Sequence, residues 1–521
     1  MVTVTQPRTR ESRPDPRRWW ALGALVASML VLGFDTTILN VALPTIAGQL
    51  GATTGQQQWM ADAYIVVFAA LMLPAGLLGD RFGRRRMLIG GLGVFLAASV
   101  VGALSSDAHG VIAARALMGI GAAFVMPLAL SVLPSLFPRE EQTKALGAIS
   151  AASALGMPLG PIIGGWLLDH FWWGSVFVLN VPMVAIGIIA CLFLLPESRD
   201  PAAPKVDIVS TALTALGLGS LIYGIIEGPG KGWTDAVVIG AFVTAAVLLG
   251  ALVPRERGSA RPMLDLSLLT HRGFLSNTLA ATLGMFVLSG VLFLLPPYLQ
   301  AVLGTDALGT GLRVLPLMGG MLLAARLAQP LVTRFGARAV VCTALTVLAF
   351  AAFLGARTTV GSGYGFTALW LSIAGIGMAF AMIPAMGGAM ATLDKDQAGR
   401  GSGLLSTVRQ TGSALGVALL GALLAGAYSG RLSTAGLPGP AADTARDSVV
   451  GAHAVAGKLG EPALAASADS AFVHGMTLAL AVIGIAALAA ALLTAALMPG
   501  RVRPAGDAPA GTEVAPVSAD A

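Results

Sequence analysis

The sequence predicts an all-α integral membrane protein with fourteen transmembrane helices, in which two six-helix bundles flank one inserted helix pair. Hydrophobic residues make up 56% of the chain and charged residues only 11%, against about 25% charged residues in soluble domains. Apolar stretches of membrane-spanning length recur along nearly the whole chain, and several short motifs occur twice. The composition therefore excludes a soluble protein and places the chain in a lipid bilayer.

Fourteen apolar runs define the predicted helices, which we number spans 1 to 14 along the chain. Each run is about 20 residues long or longer, enough to cross a hydrocarbon layer of about 30 Å at 1.5 Å per helical residue. The predicted spans cover residues 19–47, 58–79, 87–106, 110–135, 144–168, 175–196, 207–228, 235–253, 273–302, 308–331, 339–357, 364–390, 402–427 and 472–498.

Three motif pairs indicate that spans 1–6 and spans 9–14 are copies of one unit. The polar turn at residues 76–86 has a degraded echo at residues 334–338, about 250 residues later. GIGAAF at 119–124 matches GIGMAF at 375–380, and SALG at 153–156 recurs at 413–416. Because the order is preserved and the offset is nearly constant, we expect a duplicated structure, as in many secondary transporters.

The repeat divides the chain into five predicted parts. Residues 17–196 form the first bundle, and residues 273–498 form the second, which includes an extracellular loop at 428–471. Residues 197–272 are a linker that carries the inserted spans 7 and 8. The ends, 1–16 and 499–521, hold too little apolar surface to offset the entropy of ordering, so we predict disordered cytoplasmic tails. Within 428–471, a helical hairpin is an open alternative to an irregular loop.

The distribution of basic residues predicts the orientation in the membrane. Clusters such as those at 81–86 and 255–272 all fall on one side of a fourteen-span count. By the positive-inside rule that side is cytoplasmic, so both termini are predicted to lie in the cytoplasm of a multi-pass protein of the cell membrane. Topology therefore explains the net charge of +6, and no nucleic-acid partner is implied.

Four motifs together resemble the major facilitator superfamily, and within it the 14-helix drug:proton antiporters of the EmrB/QacA type. They are the turn at 76–86, FDTTILNVALP at 34–44, RALMG at 115–119 and GMPLGPIIGG at 156–165. The resemblance implies the major facilitator fold and a proton-coupled antiporter that exports amphipathic, cationic drugs or toxic compounds, as a monomer and without a cofactor. One departure is Met118, which stands where the family often has glutamine.

Charged residues inside spans are candidates for proton coupling, since an ionised side chain at a helix centre costs about 2.5–3.5 kcal/mol on insertion scales. Asp35 in span 1 ranks first and Asp62 in span 2 second, with Arg115 in span 4 as the balancing charge. Burial disfavours a charged carboxylate and a nearby guanidinium favours it, so an aspartate held between the two can exchange protons. The alternatives are a structural Asp35–Arg115 ion pair, and an interfacial helix-start position for Asp62 about 5 Å into the membrane.

Asp35 and Asp62 are also candidate contacts for a cationic substrate, as is Glu227 at the outer end of span 7. Exchange of one proton for one monovalent cation moves no net charge, so a voltage-driven cation requires two carboxylates, whereas a neutral or zwitterionic substrate requires one. For Glu227 an interfacial role is the competing interpretation. Methionine repacks around ligands of varied shape, so we predict an adaptable substrate cavity. Its candidate lining residues are Met126, Met157, Phe286 and Met382. Ordinary packing is the alternative.

Two motifs have roles that the resemblance implies. The turn between spans 2 and 3 would close the cytoplasmic gate, with Asp80 pairing across the bundle interface when the cavity faces outward; a plain topogenic turn is the alternative. This gate motif comprises Gly76, Gly79, Asp80, Arg81, Gly83, Arg84 and Arg85. The span 5 motif forms a flat stripe that would seal the antiporter against proton leak, or would serve only helix packing. It comprises Gly156, Gly160, Pro161, Gly164 and Gly165.

Other function classes are disfavoured. No nucleophile and base share a recognisable motif, so no enzyme is predicted, and no glycine-rich loop ends in Gly-Lys-Ser/Thr, which argues against an ATP-driven pump. Cys191 and Cys342 lie inside apolar runs, so neither a disulfide nor a metal site is predicted. Arg409 and Gln410, at the cytoplasmic start of span 13, resemble a family feature. The alternative for Arg409, and also for Arg313, is a side chain that snorkels to the membrane surface. The remaining alternatives are a dedicated exporter of one metabolite or antibiotic and a non-transporting receptor or scaffold.

Overall fold

The computed structural model describes residues 18–200, 206–259, 262–394 and 397–498. The tails predicted at 1–16 and 499–521 lie outside the described residues. Within that part of the chain all regular structure is helical, and fourteen helices are long and apolar enough to cross a membrane. The fold class and the number of spans predicted from the sequence are therefore confirmed.

Each predicted span corresponds to one helix of the structure. Spans 1–7 are Arg18–Leu50, Thr54–Phe82, Arg84–Leu104, Ala108–Leu136, Glu140–His170, Ser175–Leu194 and Ile208–Lys231. Spans 8–14 are Ala236–Gly258, Arg272–Val302, Ala307–Phe335, Ala337–Gly355, Tyr364–Ala391, Ala398–Arg431 and Pro462–Leu497. Most helices extend past the apolar run, because polar residues continue the helix beyond the part that crosses the hydrocarbon layer.

Span 2 shows how a polar cap moves a helix boundary. It begins at Thr54, four residues before the predicted start at residue 58. The Thr53 side chain accepts a hydrogen bond from the Gln56 N–H, and the Gln56 side chain accepts one from the Thr53 N–H. This reciprocal capping box satisfies two N–H groups that the first turn leaves free. The earlier start places Asp62 deeper in the helix than the sequence predicts.

The two six-helix bundles use the same packing scheme. Span 1 packs on span 5, spans 2 and 3 pack on span 4, and span 6 packs on spans 1 and 3. In the second bundle, span 9 packs on span 13, spans 10 and 11 pack on span 12, and span 14 packs on spans 9 and 11. The repeat of sequence motifs thus corresponds to a repeat of helix packing.

The inserted pair lies over the line along which the two bundles meet. Spans 7 and 8 pack on each other, and span 7 also contacts span 2 of the first bundle and span 13 of the second. At this contact Val66, Ile222 and Ala418 belong to one buried apolar cluster. Span 8 lies at the periphery, since only 17% of its most apolar stretch is buried inside the protein.

We call the end of the molecule that carries the 76–86 turn the basic end, and the opposite end the loop end. At the loop end the predicted loop forms a helical hairpin, Gly439–Asp447 and Val449–Leu459, and span 14 begins at Pro462, ten residues before the predicted start at 472. The Thr54 hydroxyl donates a hydrogen bond to the Asp447 carbonyl at 2.6 Å. The hairpin also packs on span 14, so it contacts both bundles.

Asp207 joins spans 7 and 8 at the basic end. Its carboxylate accepts the Ser210 N–H at 3.1 Å and pairs with the Arg255 guanidinium at 2.9 Å. The hydrogen bond from Arg255, with the bonds from Ser210, lowers the pKa of Asp207 to about 2. Because this pKa lies below the ordinary value of about 3.9, the stability that the carboxylate contributes is present above pH ~4 and is lost as the pH falls through about 2.

We expect Asp207→Ala to lower the free energy of unfolding by about 1 kcal/mol, as is typical for loss of a helix cap. Asp207→Asn retains a capping oxygen and should cost less, and its difference from the native protein should shrink as the pH falls below 4. Thermal unfolding of the purified protein across this pH range measures both effects, with Asp235→Asn at the start of span 8 as the matched control. Equal losses for the alanine and asparagine variants would contradict the assigned capping role.

Candidate functional site

A buried ion pair joins spans 1 and 4. Arg115 donates from Nη1 to Asp35 Oδ2 at 2.6 Å, and the two side chains are 3% and 2% exposed. The Asn180 amide of span 6 donates to the other Asp35 oxygen at 3.3 Å. A structural Asp35–Arg115 ion pair is the alternative that the sequence left open to a proton-coupling Asp35. A charge within a membrane span is costly when isolated, so each partner makes the other tolerable.

The rest of the Arg115 side chain is also satisfied. Its Nε donates to the Met60 carbonyl of span 2 at 3.1 Å, and its guanidinium lies 4.4 Å from the centroid of the Tyr64 ring. The Met118 sulfur, at the position where glutamine is expected from the family resemblance, lies 4.0 Å from Nη1. Cation–π contact and hydrogen bonding compensate for the desolvation of the guanidinium. The Asp35–Arg115 pair thus fastens spans 1, 2, 4 and 6 together.

Asp62 has no such compensation. Its side chain is 0% exposed, and neither carboxylate oxygen has a hydrogen-bond partner among the described residues. It lies eight residues, about 12 Å, from the first residue of span 2. Complete burial at this depth does not fit an interfacial helix-start position. An ionised carboxylate here would have no ion-pair partner among the described residues.

Asp62 lies on the face of span 2 that meets the second bundle. Gln58, Asp62 and Val66 are spaced four residues apart, so they share one helix face. Gln58 Nε2 donates to the carbonyls of Val417 and Ala418 in span 13, at 3.2 and 2.9 Å, and Val66 belongs to the apolar cluster shared with spans 7 and 13. Asp62 is therefore held at the seam between the bundles, where relative motion of the bundles would alter its surroundings.

The glycine motif of span 5 packs on two different helices. Three glycines face span 1. A Cβ on Gly156 would lie 2.9 Å from Gly33 Cα, and a Cβ on Gly160 would lie 2.1 Å from Thr37 Oγ1. A Cβ on Gly164 would lie 2.5 Å from Ile38 Cγ1. Gly165 instead faces span 10, where a Cβ would lie 2.4 Å from the Ala307 carbonyl oxygen. In span 10, a Cβ on Gly311 would lie 2.1 Å from the Pro161 carbonyl oxygen. The motif thus contributes to both intrabundle packing and closure between the bundles.

Asp169 reinforces this contact at the loop end. Its two carboxylate oxygens, in span 5, accept hydrogen bonds from the N–H groups of Ala307 and Leu308 at 3.1 and 3.0 Å. These N–H groups belong to the first turn of span 10, which has no intrahelical acceptors for them. A carboxylate at a helix N-terminus also complements the helix dipole. A side chain of one bundle therefore caps a helix of the other.

Spans 5 and 10 diverge from the loop end toward the basic end. Along span 5, the face that begins with buried Gly165 and Pro161 becomes exposed at Ala154 and Gly147. The facing stripe of span 10 is buried or half-buried at Gly311, Leu315 and Met318, and it is exposed nearer the basic end at Leu322 and Arg326. Spans 2 and 13 remain close, since a Cβ on Gly403 would lie 2.2 Å from a Leu73 methyl carbon. The gap between spans 5 and 10 therefore opens toward the basic end.

The gate motif is bound within its own bundle and to the first residues of the linker. Asp80 pairs with Arg84 at 2.7 Å, and the Asp80 carbonyl accepts the Asp200 N–H at 2.7 Å. The Arg84 N–H donates to the Ser198 carbonyl at 2.9 Å, and the Arg85 N–H donates to the Glu197 carboxylate at 3.2 Å. Within the described residues, Asp80 makes no ion pair with the second bundle. The cross-bundle pairing expected for an outward-facing cavity is not formed in this state, which is open at the same end.

The structure does not bring the other substrate-binding candidates together. Glu227 pairs with Lys231 at 3.0 Å at the loop end of span 7, as its interfacial interpretation predicts. Met382 packs against Gly284 of span 9, and Met126 is 37% exposed. Met157 is half-buried in span 5. Phe286 lines an apolar groove of about 370 Å³ between spans 9, 13 and 14.

Three residues that the structure places at or near the candidate site were not predicted from the sequence: Asn180, Asp169 and Arg326. Asn180 and Asp169 lie close to helix ends, where polar residues are ordinary, so their contacts with Asp35 and with span 10 had no sequence signal. Arg326 did have one, because it is a charge inside the predicted span at 308–331. In the structure it lies on the exposed part of the span 10 stripe.

Comparisons with known proteins agree with this architecture. The sequence pattern of the Major Facilitator Superfamily matches residues 25–417. The chain is 34% identical over 430 residues to the probable actinorhodin transporter of Streptomyces coelicolor, a match that covers 79% of this chain and 73% of the relative. It is 31% identical over 410 residues to the tetracenomycin C resistance and export protein of Streptomyces glaucescens, which covers 78% of this chain and 76% of the relative.

A solved structure shares the fold at lower sequence identity. It is that of a bacterial homolog of the human lysosomal transporter Spinster, with a TM-score of 0.68 and 19% identity. The match covers 93% of this chain and 98% of that chain.

We expect Gly165→Ala to loosen the loop-end contact between spans 5 and 10. The added Cβ would meet the Ala307 carbonyl oxygen at 2.4 Å, and a backbone atom cannot rotate out of the way, so the cost is about 1–3 kcal/mol of overpacking. Spin-label distances between the loop ends of spans 5 and 10 should lengthen or broaden. Gly147→Ala, on the same helix with nothing within 4 Å of the new Cβ, should leave them unchanged. Identical distances in both variants would remove Gly165 from the closure.

Proposed function

The chain belongs to the major facilitator superfamily, and we propose that it is a proton-coupled antiporter that exports amphipathic drugs or toxic compounds by alternating access. Membership makes it a multi-pass membrane transporter rather than an enzyme. The observation that carries the proposal is Asp62, a fully buried carboxylate without a hydrogen-bond partner in the described structure, held at the seam between the bundles.

Asp62 is proposed as the proton carrier. A proton on this carboxylate removes the cost of an isolated charge in the membrane. Rocking of the two bundles would change what faces the seam, so water or substrate would reach Asp62 in one state and be excluded in the other. Asp35 and Arg115 then act as a neutral pair that positions span 2 through the Met60 carbonyl. Asp62 is thus preferred to Asp35 as the proton carrier, which is the reverse of the order predicted from the sequence.

The proposed orientation puts the basic end, with both termini, in the cytoplasm of the cell membrane. The gap between spans 5 and 10 then admits substrate from the cytoplasmic side, and the contact made by Gly165 and Asp169 closes the outer side. In the opposite state the outer contact separates, the basic ends approach, and Asp80 becomes available to the second bundle. A monomer contains all the parts that this cycle needs.

The charge of the substrate is linked to the number of free carboxylates. A cationic substrate that is driven by membrane voltage requires two titrating groups, and the pairing of Asp35 with Arg115 at 2.6 Å leaves Asp62 as the better candidate of the two. One titrating group is enough for a neutral, zwitterionic or anionic substrate, because each of these exchanges for a proton with net movement of charge. Export of monovalent cations would therefore be electroneutral unless Asp35 also titrates.

A dedicated exporter of one antibiotic or metabolite is the second candidate. It is favoured by two similar proteins whose names each refer to a single compound, actinorhodin and tetracenomycin C. A panel of structurally unrelated compounds distinguishes the candidates, because a multidrug exporter responds to several of them and a dedicated exporter to one chemical type.

We expect Asp62→Asn to abolish substrate-induced release of a pH gradient in everted vesicles, because the amide cannot carry the proton. Glu227→Gln is the matched control: Glu227 is paired with Lys231 at the loop end, and the response should persist. Asp35→Asn should act differently, since it leaves Arg115 buried without its counter-ion at a cost of about 3–5 kcal/mol. That variant should lose thermal stability and folded yield. An Asp62→Asn protein that retains the proton response would refute the proposed carrier.

A further inference from the structure

Two arginines of the second bundle lie at least nine residues from either end of a membrane span and have no counter-ion among the described residues. They are Arg326 in span 10 and Arg409 in span 13. None of the ion pairs formed among the described residues includes either one. The Nε of Arg409 is buried without a hydrogen-bond acceptor in this part of the chain. Arginine within a span is costly when it is not compensated, so such residues mark binding sites or conduction paths.

The membrane helices of the second bundle supply no counter-ion at this depth, because their one acidic residue, Asp469 of span 14, bonds to His453 near the loop end. Spans 9 to 13 contain no aspartate or glutamate. Three other cations of the spans have partners: Arg115 pairs with Asp35, Lys231 pairs with Glu227, and the Arg313 guanidinium lies 5.2 Å from the centroid of the Tyr364 ring. Arg326 and Arg409 differ from these three cations, because neither has a charged or aromatic partner among the described residues.

Arg326 lies in the gap that opens toward the basic end. It is exposed and continues the stripe of span 10 that faces span 5 at Gly311. It lies nine residues, about 13 Å, from the last residue of span 10. The stripe also exposes Leu322, which is 48% accessible one turn away. This part of span 10 therefore offers an amphipathic ligand a positive charge and an apolar surface next to each other.

Arg409 lies at a similar depth on the other side of the second bundle's inner face. It is eleven residues, about 16 Å, from the first residue of span 13. Arg409 shares a helix face with Ser413 and Gly416, which contact Ser289 and Phe286 of span 9. The side chain of Arg409 is therefore on the face of span 13 that meets span 9.

Span 9 presents further unpaired polar groups at this level. Gly412 meets Thr282, so Arg409, one turn nearer the basic end, is level with the region around Thr278. Thr278 Oγ1 and Asn277 Oδ1 are buried and have no hydrogen-bond partner among the residues described. Buried polar atoms are normally satisfied in a folded protein, so this region is suited to a polar ligand.

We propose that the gap between spans 5 and 10 leads to a binding site for an organic anion, an amphipathic compound that carries a carboxylate or an ionised phenol. Arg326 makes the first ionic contact, and Arg409 binds the anion at a similar depth beside span 9. A guanidinium pairs with a planar oxyanion through two parallel hydrogen bonds. The inference deepens the proposed function, on which its transport part rests. Export of a monoanion against one proton moves two charges in the direction that an inside-negative potential favours, so the single free carboxylate Asp62 suffices.

Binding is tested with pyrene probes that differ only in charge: 1-pyrenebutyrate, neutral 1-pyrenemethanol and a pyrenyl alkyl-trimethylammonium. Fluorescence polarisation with purified protein in phosphatidylcholine nanodiscs, without a pH gradient, measures the three affinities. We expect pyrenebutyrate to bind at least about tenfold more tightly than the cationic probe, the difference that one charged hydrogen bond provides. Equal affinities for the three probes would overturn the anion site.

Variants assign the binding to the two arginines. Arg326→Gln and Arg409→Gln should each weaken pyrenebutyrate binding by about tenfold and leave 1-pyrenemethanol binding unchanged, and Arg326→Lys should recover part of the loss. Arg313→Gln is the matched control, because Arg313 lies on the same helix against Tyr364 and should have no effect. Unchanged anion affinity in the Arg326→Gln, Arg409→Gln double variant would refute the assignment. Size exclusion and thermal unfolding establish that each variant is folded.

Two further arms separate the alternatives. If phosphatidylglycerol displaces the probe and proteoliposomes transport none of the organic anions, the ligand is a lipid head group and the substrate assignment is wrong. Binding is also measured in Asp62→Asn, which should retain anion affinity. Arginine-dependent binding without any proton movement would remove the proton-coupling proposal and keep the anion site. Proton-coupled transport of the cationic probe alone would do the reverse.

Discussion

The ion pair between Asp35 and Arg115 is the interaction on which the interior of the first bundle depends. A bilayer solvates neither charge, so each is stable in its span because the other lies 2.6 Å away. The Met60 carbonyl and the Asn180 amide complete the hydrogen bonding and bring spans 2 and 6 to the same centre. With these charges neutralised, Asp62 stands apart as a buried carboxylate that no described group balances.

One pair of helices decides both closure and access. At the loop end, spans 5 and 10 meet through backbone contacts that only glycine permits, and Asp169 caps the incoming helix. Such a contact is tight but has few interlocking side chains, so separation requires little repacking. Toward the basic end the same helices diverge and expose Leu322 and Arg326. Closure at one end and opening at the other are therefore linked by the rigidity of two long helices.

Charge is divided unequally between the bundles. The first bundle holds a balanced pair and a lone carboxylate. Spans 9 to 13 of the second bundle hold no acidic residue, and their arginines include Arg326 and Arg409, which have no counter-ion among the described residues. The seam thus separates a candidate proton site from a candidate anion site. Relative motion of the bundles would act on both sites at once, which is the physical requirement for coupling one flux to another.

The class, the fourteen spans and the duplicated organisation could all be predicted from the sequence, because apolar length and motif order are local properties of a chain. The sequence identified Asp35, Asp62 and Arg115 as membrane charges but could not decide which two pair, since pairing depends on how helices rotate about their axes. Tertiary packing decided that Asp35 meets Arg115, that Gly165 departs from its motif to face span 10, and that Asp169 reaches across the seam. These contacts join residues distant in sequence, and their geometry exists only once the helices have packed.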